Sequence, residues 1–322
     1  MSVVVSCKEI DLVLIVGAQK SGTSSLYKYL CYHDQVLGST MKQSFYFMSP
    51  EFYKLNKSRV PRKFSENIDD FLSLFPPIGP NVKVLVESTP DYLHTPGVID
   101  RIQSIGSHFR SVYIIAILRH PVYRFISWHR FAIQQGSIVD DTSLESFYKM
   151  NRPICVAFKD TDSCFFAKDS GRYEKFIPSF SKAFGEKFKA YDFDQLQKNP
   201  CELMKGLCSV IGLDSSCYND YEFNVSNKTV IVQSRFIYNA YMRLRSVYIA
   251  ILDTPLLYIV KPIRNVISKM YHRMNDRSRL SHGGISDSDF FIKNELFNEY
   301  LKDIEFCNSQ YGFAWSNKAE SE

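Results

Sequence analysis

The chain has 322 residues, of which 45% are hydrophobic, 15% aromatic and 23% charged, with a formal net charge of +5. This balance is that of an ordinary globular protein, and it excludes a disordered chain, a collagen-like repeat and a membrane bundle. The charge favours anionic ligands through the summed field, yet it lacks the dense basic stripe of a nucleic-acid binder, so no nucleic-acid partner is expected.

The first seven residues precede a charged Lys8-Glu9 step and have none of the parts of a signal peptide, which points to the cytoplasm. Residues 12–16 form a short apolar run closed by Gly17, a predicted strand, and residues 24–31 follow as a helix. A second apolar run covers 82–86 after the breaker cluster Pro76-Pro77-Ile78-Gly79-Pro80-Asn81, and a third covers 112–118. Continuous runs separated by helical stretches indicate a parallel sheet covered on both faces. The expected architecture is therefore α/β, a three-layer sandwich with a central parallel sheet and functional loops at the strands' C-terminal ends.

Further along, 173–184 reads as an amphipathic helix, 188–191 as a strand, and 200–211 as a helix opened by proline and stopped by Gly212. Residues 236–274 place apolar side chains at helical spacing among Arg243, Arg245, Lys261, Arg264, Lys269 and Arg273. That stretch is expected to be a helical insertion or lid whose basic face is solvated, or meets a membrane surface or an anionic acceptor. Residues 295–306 are a last helix. A single domain over 8–315, with the insertion at about 236–285 and a flexible tail at 316–322, accounts for these elements. The most apolar long stretch, 247–260, is broken by Asp253 and Pro255 and falls short of the ~20 residues of a membrane span, so no transmembrane segment is expected. The eight cysteines are scattered without metal-ligand spacing; reduced thiols and no metal site are expected.

The most informative segment is Gly17-Ala18-Gln19-Lys20-Ser21-Gly22-Thr23-Ser24-Ser25, between a strand and a helix. Glycines let the backbone turn so that successive N–H groups converge, and the helix start adds unpaired donors and partial positive charge. With the hydroxyls of Ser21, Thr23, Ser24 and Ser25, this is a cradle for phosphate or sulfate. Gly17 and Gly22 have the spacing of G-x-x-x-x-G-K-[ST], but Thr23 stands where that motif needs lysine, and Lys20 lies two residues before the second glycine. The strand 112–118 also runs into Arg119-His120-Pro121 rather than a metal-binding carboxylate. A P-loop nucleotide kinase or NTPase is thus the disfavoured alternative.

Residues 19–26 resemble the 5′-phosphosulfate loop of sulfotransferases that use PAPS (3′-phosphoadenosine 5′-phosphosulfate), and Arg119-His120-Pro121-Val122-Tyr123-Arg124-Phe125-Ile126-Ser127 resembles their 3′-phosphate motif R-x-P-x-x-R-x-x-S. Glu87-Ser88-Thr89-Pro90-Asp91-Tyr92 is similar to the family's E-K-[ST]-P-x-Y, and Gly171-Arg172-Tyr173 opens a helix as in the family. The resemblance covers about residues 12–215, with a weaker echo at 311–315. It implies a nucleotide-kinase-like P-loop sulfotransferase fold and PAPS as co-substrate, without metal. The donor would be held by Gln19, Lys20, Ser21, Gly22, Thr23, Ser24, Ser25, Arg119 and Ser127, and adenosine 3′,5′-bisphosphate (PAP) would be the product. Lys20 would meet the oxygen bridging sulfur and phosphorus. Arg124 reads equally as a salt-bridge partner or a ligand.

On the acceptor side the chain departs from its relatives. Saccharide sulfotransferases carry a Lys-Glu pair with the glutamate as base; here the pair is Lys42-Gln43, and Ser88 replaces the lysine of E-K-[ST]-P. Cytosolic small-molecule sulfotransferases place a catalytic histidine near the corresponding strand end, which offers Glu87, Asp91 and His94. Glu87 and His94 are candidate bases, while Asp91 is an acceptor-side residue or a helix cap and His94 could equally be a surface residue. A neutral amine would need less of a base, leaving Gln43 to orient it. Expected partners are PAPS and a small-molecule or saccharide acceptor presenting a hydroxyl or amine; a homodimer is left open. A PAPS-binding protein without catalysis is the remaining alternative.

Overall fold

The computed structural model describes residues 7–57, 60, 63–139, 141–155, 158–224 and 287–318. The expected insertion at 236–274 and the last four residues of the tail lie outside them.

Five parallel strands form one sheet: β1 (Asp11–Gly17), β2 (Val36–Gly38), β3 (Val84–Ser88), β4 (Ser111–Leu118) and β5 (Phe188–Asp192), in the order β2-β3-β1-β4-β5. The helices α1 (Thr23–Leu30), α2 (Pro50–Leu55), α3 (Ile68–Leu72), α4 (Val98–Gly106), α5 (Pro121–Gln135) and α6 (Leu144–Met150) occupy the first half. The second half contains α7 (Tyr173–Phe184), α8 (Phe193–Lys198), α9 (Pro200–Ile211), α10 (Asp287–Glu299) and α11 (Leu301–Tyr311).

Every residue of β1 is buried, because its side chains serve two cores in alternation. Leu12, Leu14 and Val16 face a core shared with α4, α5, α7, α10 and α11, whereas Val13 and Ile15 face one shared with α1, α8 and α9. This is why the run shows no polar alternation. Replacing Leu14, which is fully buried, by alanine is expected to cost about 2–5 kcal/mol of stability, read from chemical denaturation midpoints.

The three-layer parallel architecture is as expected, with local corrections. The second strand begins and ends two residues later than the apolar run, since pairing of Val84–Ser88 with residues 11–15 sets its register. The edge strand β2 was not foreseen; its three residues are too few for a periodic signal and form a strand by pairing with β3. The predicted helix at 295–306 is two helices meeting at Tyr300, whose buried side chain donates to the Lys168 carbonyl at 2.7 Å. That anchor turns the chain where a continuous helical pattern shows nothing. At the start of the expected tail, the Ser316 carbonyl lies 3.0 Å from His120 Nε2, which fastens it to the end of β4.

Candidate active site

β1 lies between β3 and β4, so three neighbouring strand ends open onto one crevice. From β1 comes the loop through Lys20, from β3 the segment 88–91, and from β4 Arg119. Chain order reverses here, β1 passing to the β2/β3 side before the chain crosses to β4, which is the arrangement that creates a binding crevice in open α/β sheets.

The loop's shape needs its glycine. Gly22 has φ 86°, and a Cβ there would come within 2.9 Å of Leu196 and 3.1 Å of the Phe193 ring. Lys20 also adopts a left-handed conformation, φ 66°. Gly22 caps α1 without a side-chain hydrogen bond to the first turn, and the helix start points its positive end toward the loop. Among the described residues the fully buried Ser21 hydroxyl lies near Tyr173 without completing a hydrogen bond, a donor that an anionic oxygen would satisfy.

Among the described residues, neither Lys20 nor Arg119 forms an ion pair with a carboxylate. Lys20 Nζ lies 3.7 Å from the centre of the Phe131 ring, and burial followed by repulsion from Arg119 holds its pKa down at about 7. The Arg119 guanidinium lies 4.8 Å from the Phe193 ring centre, and burial lowers its pKa as well. Its backbone carbonyl accepts a 2.8 Å hydrogen bond from Tyr173. Ser127 is buried on α5, about two turns on from Arg119. Among the described residues, none of the side chains of Lys20, Arg119 and Ser127 has an ion pair or hydrogen bond to the protein.

Arg124 is not the salt-bridge partner of the first of its two sequence readings among the described residues. It is fully buried, forms no ion pair among the described residues, and donates to the Ala167 carbonyl, with Nε and Nη1 lacking hydrogen-bond partners. A Cβ on Gly171 would come within 2.9 Å of its Nη2, which is why glycine precedes Arg172-Tyr173. Arg172 itself pairs with Glu299 and Asp303.

Opposite the loop, Lys42 Nζ donates to Thr23 Oγ1 at 3.3 Å; burial lowers its pKa to about 8 against the opposing pull of Glu87 and Asp91. The Glu87 carboxylate is fully buried and accepts from the Ser44 N–H at 2.9 Å and the Thr89 hydroxyl at 2.6 Å, bracing β3 against the segment that carries Lys42 and Gln43. Asp91 does not cap the short helical turn Tyr92–His94 with its side chain; it accepts from Gln19 Nε2 at 2.6 Å and so ties the β3 end to the loop. His94 is not a surface residue. It is 5% exposed, packs edge-on to Phe176, and has its pKa lowered to about 3 by burial and by Arg124 and Lys175, with Asp169 opposing. The Ser88 hydroxyl is buried without a hydrogen-bond partner among the described residues, where the family resemblance would put lysine.

The crevice thus gathers Gln19, Lys20, Thr23, Lys42 and Asp91 through direct contacts or shared charge, while the described contacts of His94 lead toward α5 and α7 instead. Phe131 and Phe193 were missed in the sequence, because two phenylalanines among 25 carry no signal until their rings are seen beneath cations. Among the described residues there is no metal-binding group of three or more His, Cys, Asp or Glu side chains, and no helix is long and apolar enough to cross a membrane.

No family model matches the sequence. The membrane-associated sulfotransferase Kil1 of Dictyostelium discoideum is 30% identical over 121 residues, 38% of this chain and 23% of that protein. A bifunctional heparan sulfate N-deacetylase/N-sulfotransferase 1 of Caenorhabditis briggsae is 22% identical over 215 residues, 65% of this chain and 23% of that protein. The chain therefore spans less than a quarter of the length of these relatives. The crystal structure of a sulfotransferase from Alicyclobacillus acidocaldarius superimposes with a TM-score of 0.55 at 19% identity, covering 73% of this chain and 92% of that one. The chain is thus similar in sequence to parts of curated sulfotransferases and shares the fold of a solved one.

Proposed function

We propose that the chain is a sulfotransferase that moves the sulfuryl group of PAPS to a hydroxyl or amine of a small-molecule or saccharide acceptor, releasing PAP. The observation that carries this reading is the pair of half-buried cations, Lys20 and Arg119, at the ends of adjacent strands and without an ion pair among the described residues, with the buried Ser21 hydroxyl between a glycine turn and a helix start. In the proposed reaction the acceptor atom bonds to sulfur as the bond from sulfur to the bridging oxygen breaks, leaving negative charge on the phosphate. Lys20 stabilises that charge, and Arg119 with Ser127 holds the 3′-phosphate.

For the acceptor's proton, Asp91 is favoured over Glu87 and His94. Its carboxylate is bonded to the loop through Gln19, whereas Glu87 is committed to Ser44 and Thr89, and His94 is held neutral as a weak base. With an alcohol acceptor, Asp91→Asn should lower kcat by about 10²-fold or more, while His94→Asn should lower it little. Equal losses in the two variants would remove Asp91 from this role.

An amine is the first acceptor class to screen. One relative's name specifies heparan sulfate N-sulfotransferase activity, and Gln43 in place of a carboxylate suits an acceptor that attacks as a neutral base. The decisive experiment incubates the purified chain with sulfur-labelled PAPS and panels of amines and alcohols, with and without a chelator. Transfer that survives chelation supports the proposal; magnesium-dependent ATP turnover, or PAP binding without any transfer, would replace it. The cytoplasmic placement and the single domain over 8–315 belong to the same proposal, tested by cell fractionation and limited proteolysis.

A further inference from the structure

The two cations assigned to the donor share an arrangement that the motifs do not contain. Each rests on a phenylalanine from a different element: Lys20 on Phe131 of α5, at 3.7 Å, and Arg119 on Phe193 at the start of α8, at 4.8 Å. A carboxylate in either place would hold the cation equally well but would cancel the charge the site needs. An aromatic face attracts a cation through its quadrupole and carries no net charge. The rings therefore restrict the side chains while leaving their charge available to an anion.

We infer that Phe131 and Phe193 are positioning residues that hold Lys20 and Arg119 ready for the two charged ends of the donor, an inference that rests on the sulfotransferase reading. The two supports come from different elements. Phe131 lies one turn beyond Ser127 on α5 and reaches the 5′ end of the site, whereas Phe193 also packs beside Gly22 and reaches the 3′ end. The charged group acting on Lys20 is Arg119, and those acting on Arg119 are Tyr173, Arg130, Asp194 and Arg124. Arg130 and Arg124 repel the Arg119 guanidinium while Asp194 attracts it; removing a ring leaves these charges in place and withdraws the ring's own attraction.

The test uses the full chain with Phe131→Leu, Phe131→Tyr, Phe193→Leu and Phe193→Tyr, reading PAP affinity by calorimetry and the pH dependence of kcat/KM. Phe131→Leu should shift the alkaline limb of kcat/KM down by about half to one pH unit, with PAP affinity changed by less than about 3-fold, and Phe131→Tyr should restore the limb. Phe193→Leu should weaken PAP by about 5-fold while leaving adenosine 5′-phosphosulfate unaffected, and Phe193→Tyr should restore it. If wild-type protein binds PAP and transfers sulfate but the leucine variants keep the wild-type limb and affinity, the inference is overturned and the function stands. Equal losses in the leucine and tyrosine variants also overturn it, because shape rather than the aromatic face would then matter. If wild-type protein binds no PAP, the underlying reading fails first.

Discussion

Lys20→Ala is expected to lower kcat by about 10²-fold or more while changing the affinity for PAP by less than about 3-fold, because its charge is needed where negative charge develops on the leaving phosphate. The side chain is held on a ring in a loop whose own backbone is constrained, so its loss removes a positioned charge rather than a mobile one. Arginine should not substitute well, since a planar fork cannot replace a compact ammonium over the Phe131 ring. The sign of the pH effect follows from the depressed pKa. In the free chain Lys20 is charged below about 7 and loses its charge as pH rises through that value, so kcat/KM should fall on the alkaline side. Bound donor adds negative charge beside the ammonium and raises its pKa, so the corresponding fall in kcat should lie at higher pH. Stopped-turnover assays over pH 6–10 on wild type and Lys20→Ala would check both parts, and an alkaline limb that persists in the alanine variant would assign it to another group.

The second large effect concerns the opposite end of the donor. Arg119→Ala should weaken PAP by about 10- to 100-fold, the size of a lost charge-assisted hydrogen-bonded pair, and should leave adenosine 5′-phosphosulfate, which has no 3′-phosphate, bound as before. The guanidinium makes no ion pair among the described residues, and Asp194 acts on it only through its charge, so little of this loss would be recovered from released protein contacts. Calorimetric titration of both nucleotides distinguishes a specific 3′-phosphate contact from a general loss of positive charge. Equal weakening of the two would indicate the latter.

The chain's covalent order already determined the parallel α/β architecture, four of the five strands, the glycine loop and the Arg119–Ser127 step. A glycine turn between a buried strand and a helix is a local matter, and so is the eight-residue step from Arg119 to Ser127 along one helix. Continuous apolar runs such as 112–118 announce a strand buried on both faces whatever the rest of the chain does. The tertiary structure decided how the acceptor side is divided. Glu87, Asp91 and His94 stand within eight residues of one another, and nothing in their spacing separates them. Only when β3 is set beside β1 does Asp91 meet Gln19, does Glu87 turn to Ser44, and does His94 enter a pocket lined by Phe176 near Arg124. The same holds for Phe131 and Phe193. Desolvation and cation–ring contacts depend on distances between residues remote in sequence, and those distances exist only after the layers have packed.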